Sequence, residues 1–590
     1  MQKKFIYQQD KKLNIFFVTT LSILFLYIVQ ILIFKNIDFV NYCQSNLCSK
    51  LFSFEGQNIE KLSAFQLFSP SISLIISLAL LLSANIQNKF TRRTNILGFF
   101  VVSLLALHII FQYSQFVPEI YSDSLNYLFG IIEVCLTTIW ALSFLYQRNW
   151  QFVNRKISIY DIWSASALFL IAIGVYISAT DSSAMCIGFP LCNDITNLSF
   201  SGFLVMFHRI LAVIVTIESF FVLQRTWFYY RKSNIMLIST TLAFSLFIGQ
   251  LLIGALQVIR NFPVDLVGTH AFSAAAFYIS LMISVTISKI EKRDNSAEKL
   301  TIFNDKQRLF DFIKLNKPII VLLLLVTTYG GMVVGGGKIP ALGVTFWTLL
   351  AGGLAAGGSS AINQYIDRDI DQSMQRTSKR PIPSGRLQPA EALALGIVEI
   401  VFAFFIYASF VNLLSAILAM VGMVYYVFIY SLWLKHITVQ NIVIGGGAGA
   451  IPPLVGWAAA TGSLNIPSLF LFGLVFLWTP PHFWALAIVR KNDYARANVP
   501  MMPVVQGEKK TRIQIFIYTI QLVILTLLMP IFKLGGTLFL ISAIALGLWL
   551  LYTAWQVVTI EGNKVAYKMY RYSSMYLAFI FLALTIDVFI

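Results

Sequence analysis

Apolar runs of about 20 residues recur along the whole chain, and no other feature constrains the fold as strongly. Each run is long enough to cross a bilayer as a helix. Backbone groups in lipid must be satisfied internally, so the chain reads as an all-α polytopic membrane bundle. Composition agrees: 58% of residues are hydrophobic and 12% charged, roughly half the charged share of a soluble protein. The net charge of +17 does not point to nucleic acid, because the Lys and Arg residues follow the pattern of basic loops facing the cytoplasm. The first run, Ile15 to Phe34, follows Lys3, Lys4, Lys11 and Lys12 and has no small-residue cleavage site after it, which predicts a retained signal anchor.

The runs give spans near 15–34, 66–86, 96–116, 127–147, 160–179, 203–224, 235–257 and 266–288. After a polar linker, nine more fall near 318–336, 341–362, 391–410, 413–431, 441–459, 468–489, 514–532, 536–556 and 572–590. Loops holding Lys89/Arg92/Arg93, Arg148/Arg155/Lys156 and Arg225/Arg231/Lys232 alternate with loops poorer in Lys and Arg. The N-terminus is therefore expected in the cytoplasm of a bacterial inner-membrane protein, with Ile590 outside. Cys43 and Cys48 fall in one outside loop, Cys186 and Cys192 in another. Disulfides persist on the oxidising face, so Cys43–Cys48 and Cys186–Cys192 are expected bridges, the alternative being four unrelated thiols. Cys135, inside a span, reads as a small core residue.

The organisation is an eight-span domain over 1–288, a cytoplasmic linker over 289–304 and a nine-span domain over 305–590. The first eight spans look like two sets of four, each with a Cys pair between its first and second span, which suggests a pseudo-symmetric pair of four-helix bundles. Past the linker glycine becomes dense, as at Gly330–Gly331, Gly335–Gly337 and Gly357–Gly358, consistent with close helix packing.

The most informative stretch runs from Asn363 to Pro381. Asn363, Asp367 and Asp371 are spaced i, i+4, i+8. On a helix they form one stripe, each about 6 Å further along the axis. Carboxylates so placed repel unless a cation joins them, and Mg²⁺ suits hard oxygens shared with substrate phosphates. Arg376, Lys379 and Arg380 follow at once, with side chains that match phosphate oxygens. A second loop on the same face, 490–513, supplies Arg490, Lys491, Asp493, Tyr494, Arg496, Lys509 and Lys510. This is the pattern of a site for a diphosphate on a lipid tail; the bland reading of either loop is a solvated charged surface.

The segment NQYIDRDIDQSMQRTSKRP resembles the first aspartate motif of the UbiA superfamily of intramembrane prenyltransferases. More narrowly it is similar to the protoheme IX farnesyltransferases, also called heme O synthases. Trp433–Lys435, Asn441–Trp457 with Pro452 and Pro453, the Trp478–Trp484 stretch with His482, and Asp493–Gly507 resemble the same family, so the likeness covers about 305–590. His436 stands where the family usually has Arg, and Asn492 where an acid is common, which puts a second Mg²⁺ site in doubt. The resemblance implies transfer of farnesyl from farnesyl diphosphate to a heme b vinyl group. Asn363, Asp367 and Asp371 would hold Mg²⁺. Arg376, Lys379, Arg380, Lys435 and Arg490 would bind diphosphate, with Asp493 and Tyr494 beside them. His482 is the candidate heme-side residue, against the plainer reading of a hydrogen-bonded helix histidine. The rival is a UbiA-type enzyme acting on a quinone or chlorin precursor.

In the first half, His208 and His270 lie about five residues, or roughly 8 Å, below the outer ends of like-oriented spans, a placement from which two imidazoles could ligate one heme b iron. With the Cys186–Cys192 loop and Arg209, they look like the second half of a heme A synthase. The first half departs from that family: Glu60 is followed by Ser63 where a His is expected, Ile132 stands at the other His position, and His108 is mid-span on a helix of opposite direction. The resemblance therefore implies a heme-holding bundle without the oxidation site. The implied partners are heme b, farnesyl diphosphate and membrane lipid, with heme A synthase or oxidase assembly factors as pathway neighbours.

Overall fold

The computed structural model describes residues 157–290, except 181 and 194–198, and residues 306–590, with a few helical positions between 98 and 139. Cys43, Cys48, Glu60, Ser63 and His108 lie outside the described residues, as does most of the first expected set of four spans. The described residues contain helices and no strand. Thirteen of these helices are long and apolar enough to cross a membrane, and the chain is a multi-pass membrane protein. It divides into two compact units, Met1–Lys299 and Leu300–Ile590.

In the first unit, α1 (Ile159–Ala179), α2 (Phe200–Tyr229), α3 (Asn234–Ile259) and α4 (Val264–Ile290) each pack on the next, and α4 closes back on α1. The side chains of Ser199 and Ser233 accept hydrogen bonds from the backbone N–H groups of Gly202 and Met236, capping α2 and α3. Trp163, Phe247 and Phe277 form the aromatic centre of the core. A chain of hydroxyls joins all four helices: Tyr160 to Thr226 (2.9 Å), Thr226 to Thr240 (3.4 Å), Thr240 to Ser284 (3.1 Å) and Ser284 to Ser239 (2.9 Å). Lipid offers no hydrophobic force between helices, so such polar contacts help to hold the bundle together.

The second unit begins with a short helix, α5 (Lys306–Leu315), followed by α6 (Pro318–Gly336), α7 (Leu342–Ser373), α8 (Pro389–Phe410) and α9 (Leu413–Val424). Helix α9 continues as a π-helical segment, Tyr425–Leu434. Then come α10 (Asn441–Thr461), α11 (Ile466–Val489), the short α12 (Lys491–Arg496), α13 (Glu508–Leu528), α14 (Thr537–Thr559) and α15 (Asn563–Asp587). The spanning helices alternate in direction, which gathers α5, α12 and loops 374–388, 435–440 and 490–507 on one face.

Two glycine contacts set the helix spacing. A Cβ at Gly358 of α7 would stand 2.6 Å from the carbonyl oxygen of Gly396 on α8, and one at Gly396 would stand 2.7 Å from that of Gly358. Backbone touches backbone there, less than two turns above Asn363. Similarly, a Cβ at Gly331 of α6 would overlap the Pro453 carbonyl of α10. The apolar run predicts α7 over 341–362, yet the helix continues to Ser373. Hydropathy stops at the charges; the helix does not, because the charges find partners inside the bundle.

Candidate active site

The last three turns of α7 carry Asn363, Asp367 and Asp371 on one stripe, each less than 5% exposed. Asn363 donates from Nδ2 to Asp367 Oδ2 (2.9 Å) and to Ser431 Oγ (3.0 Å), while its Oδ1 accepts from Lys317 Nζ (3.0 Å). Lys435 pairs with Asp367 Oδ2 at 2.5 Å, and Arg380 with Asp371 Oδ2 at 2.7 Å. Asp367 Oδ1 is buried and has no hydrogen-bond partner.

The π-helical segment delivers two of these groups. Ser431 donates back to the carbonyl of Tyr426, five residues earlier, at 2.8 Å. The wider turn aims Ser431 and Lys435 at α7, and such turns are frequent at functional sites. Lys317, just before α6, has a left-handed backbone with φ of 47°. A non-glycine residue held there stores strain that the surrounding contacts must offset. Burial draws its ammonium down to about 7; Arg380 and Lys435 act in the same direction, and Asp367 and Asp371 oppose them.

Helix α5 is wired into this face. Arg386 of loop 374–388 donates from Nε to Asp311 at 2.7 Å and from Nη2 to the Lys379 carbonyl at 3.2 Å. Arg308 pairs with Glu391 at 2.5 Å, and Asn316 donates to Glu399 at 2.6 Å. The Leu315 carbonyl accepts from Ser360 (2.8 Å) and Gln364 (2.7 Å), one turn from the stripe. Burial alone would raise the Asp311 carboxyl, but its bonds to Arg386 and Gln307 hold it below the usual value. Two of its charged residues turn inward, Asp311 buried and Arg308 half-buried, while Leu309, Phe310 and Ile313 are exposed.

The second loop meets the first at Tyr494. Burial pushes the Tyr494 phenol up, and nearby Arg376 and Arg490 pull it back. Asp493 is buried and pairs with Arg496, one turn on, rather than with the stripe. Arg376, Lys379 and Arg490 are exposed beside the network. Lys491 pairs with Glu508 at 3.3 Å, and Lys509 and Lys510 are exposed.

Asn363, Asp367 and Lys435, all singled out from sequence, thus form one hydrogen-bonded network, and the Asp371–Arg380 pair stands one turn further along the same stripe. Lys317 and Ser431 join it without having been foreseen, and Asp311 and Arg386 form a separate pair on the same face. Only Lys317 left a signal, a Lys-Pro pair at the start of an apolar run, where proline favours the first helical position. His482 of α11 sits apart. Its Nδ1 shares a hydrogen bond with Ser573 Oγ at 2.9 Å, and its ring packs between Trp478 and Tyr570, with centroids at 4.2 and 4.5 Å.

In the first unit Cys186 and Cys192 are bridged. Arg209 clasps the loop they close, donating to the carbonyls of Gly188 (2.7 Å), Cys186 (3.0 Å) and Pro190 (3.2 Å). His208 lies against Gly174 of α1, and His270 against Gly254 of α3. A Cβ on either glycine would come within 3.0 or 3.3 Å of the histidine Cε1. His208 is eight residues into α2 and His270 six into α4.

The model of the UbiA prenyltransferase family matches residues 324–580, from α6 to α15. The protoheme IX farnesyltransferase of Symbiobacterium thermophilum is 45% identical over 280 residues, covering 47% of this chain and 94% of that protein. That of Roseiflexus castenholzii is 40% identical over 400 residues, 64% of this chain and 75% of that protein. The chain belongs to the UbiA prenyltransferase family. The R. castenholzii match covers more of the chain than Leu300–Ile590 could supply, so this UbiA relative also shares sequence with the first unit. A third protoheme IX farnesyltransferase, from Roseiflexus sp. (strain RS-1), is 51% identical over 279 residues; the match covers 47% of this chain and about half of that relative's length, 52%.

Proposed function

We propose that the second unit transfers a farnesyl group from farnesyl diphosphate to a vinyl group of heme b, giving heme O. The observation that carries this reading is the Asn363/Asp367/Asp371 stripe inside a ring of Lys and Arg at one end of the bundle, in a chain whose relatives are protoheme IX farnesyltransferases.

Mg²⁺ fits the donors present. Asp367 Oδ1 is a buried carboxylate oxygen lacking a partner, and Asp371 and Asn363 lie one turn to either side. Among the described residues no three His, Cys, Asp or Glu side chains cluster as a closed metal cage. Mg²⁺ commonly takes one or two carboxylates and completes its shell with water and substrate phosphate. When bound, the ion would stabilise negative charge on the departing diphosphate.

The chain's own groups do the rest. Arg380 and Lys435 at the stripe, with Arg376, Lys379 and Arg490 around them, bind and orient the diphosphate and stabilise its charge as the allylic C–O bond breaks. The vinyl π electrons form the new C–C bond to the farnesyl carbon. Water adds to the resulting cation and gives up a proton, leaving a hydroxyethylfarnesyl group. Tyr494 joins the two basic loops, and Asp493 fixes Arg496. His482 has its Nδ1 engaged by Ser573, which leaves Nε2 for the heme-side role and equally suits the plainer reading of a helix histidine that positions α11 against α15. The basic face lies in the cytoplasm in this reading, because loops on the opposite face of the second unit carry only Lys338 and Lys533.

For the first unit we propose a bound heme b with His208 and His270 as axial ligands. Support comes from the placement of His208 eight residues into α2 and His270 six into α4, each beside a glycine that leaves room for the ring. The test of prenyl transfer is mass spectrometry of porphyrins after membranes carrying the chain are incubated with heme b, farnesyl diphosphate and Mg²⁺. Heme O should form, and chelating the metal should stop it. Unchanged heme b under saturating donor and metal overturns the assignment.

A further inference from the structure

Three cations reach the acid stripe, but it offers only two carboxylates. Lys435 pairs with Asp367 and Arg380 with Asp371. Lys317 instead donates to the neutral amide oxygen of Asn363. Lys317 is thus the one of the three whose partner carries no charge.

The Asn363 amide cannot turn to relieve this. Both Nδ2 hydrogens are committed, one to Asp367 and one to Ser431, so Oδ1 must face Lys317. A divalent cation that recruits Asn363 needs that same Oδ1. Metal ion and ammonium repel when they share one oxygen, so one of them must leave. Asp367 and Asp371 would hold the metal as well, whereas the lysine sits on a flexible four-carbon stem. Its backbone cannot follow: the neighbouring Leu315 carbonyl is held by Ser360 and Gln364, and Lys317 itself is locked at positive φ. What moves is the ammonium, and it remains inside the site.

Resting on the prenyl-transfer reading, we propose that Lys317 is a ligand for a substrate oxyanion: metal binding displaces it from Asn363 Oδ1, and it re-bonds to a phosphate oxygen of the donor or a propionate of the porphyrin. The two sources share one chemistry, an anionic oxygen entering beside the stripe. The left-handed backbone is then part of the site, aiming a lysine from the mouth of α6 across to α7.

The test uses the purified full chain as Lys317→Met and Lys317→Arg. The first readout needs no turnover: binding of inorganic pyrophosphate with Mg²⁺, alongside the thermal midpoint. The second is initial rates with farnesyl diphosphate and heme b varied separately, repeated with heme dimethyl ester, which lacks free propionates. If Lys317 binds diphosphate, Lys317→Met weakens pyrophosphate binding and raises KM for the donor about tenfold or more, and Lys317→Arg recovers part of both. If it binds propionate, KM for heme b rises instead, and the defect vanishes with the dimethyl ester. A stable Lys317→Met protein with unchanged pyrophosphate affinity and unchanged KM values overturns the proposal. Failure of the parent chain to prenylate heme would overturn the functional reading but leave the pyrophosphate readout standing.

Discussion

Asp367→Asn separates folding from chemistry at the stripe. Asp367 Oδ2 receives Lys435 at 2.5 Å and Asn363 at 2.9 Å, while Oδ1 has no partner. An asparagine keeps one oxygen for these donors and places its NH₂ where Oδ1 was. The fold loses the difference between a charge-assisted and a neutral hydrogen bond, about 1–2 kcal/mol. The site loses far more. Removing one carboxylate takes away the anionic oxygen best placed for Mg²⁺ and leaves the cations unbalanced. Loss of one preorganised electrostatic group costs about 3–4 kcal/mol in the transition state, or about 10²–10³ in kcat. The assay is heme O formation at saturating Mg²⁺ and donor, with detergent-extracted protein checked for monodispersity and thermal midpoint. A midpoint close to the parent's with turnover lowered at least about 10²-fold is the expected pair of results. Turnover within about tenfold of the parent, in a stably inserted protein, would refute the assignment of Asp367 to the metal.

Substituting both His208 and His270 by Ala in the full chain should abolish its low-spin heme absorption, measured on purified protein supplied with heme b; a full heme spectrum in that variant excludes the bis-histidine reading. Arg386→Leu strips the partner from the buried Asp311 carboxylate and should lower the thermal midpoint by an amount equivalent to about 1–3 kcal/mol, discounted because Arg386 is partly exposed; adding Asp311→Leu should recover part of it. Because the folded Asp311 carboxyl is held below its usual value, the pair's contribution is present above about pH 4 and is lost as pH falls through the folded value. The midpoint gap between parent and Arg386→Leu should hold steady from about pH 8 to 5 and shrink below about 4; a gap that widens in acid contradicts this assignment.

The acid stripe was legible because helical spacing alone puts Asn363, Asp367 and Asp371 on one line, and the apolar runs were legible because lipid demands length. What failed to show depends on residues far apart in the chain. Ser431 reaches Asn363 only because the helix widens into a π turn at Tyr425–Leu434, which no hydrophobic period marks. Lys317 meets the stripe across 46 residues of sequence. Helix α5 lies in a basic stretch outside the apolar runs, and Arg308 and Asp311 face inward to Glu391 and Arg386 while Phe310 and Ile313 face out. Asp493, which the resemblance puts beside the diphosphate-binding residues, pairs with Arg496 one turn on.

The central claim, a prenyl-transferring second unit joined to a bundle without an oxidation site, is tested most directly by expressing the intact chain in a host lacking both heme O and heme A synthases and extracting its hemes. In the reading proposed from the sequence resemblance, Ser63 and Ile132 would stand where that oxidation needs imidazoles, and a substrate heme there would be weakly held and poorly oriented. The account predicts heme O and no heme A. Heme A in the extract would show that the first half oxidises heme through ligands other than those identified, and absence of heme O would contradict the account at its core.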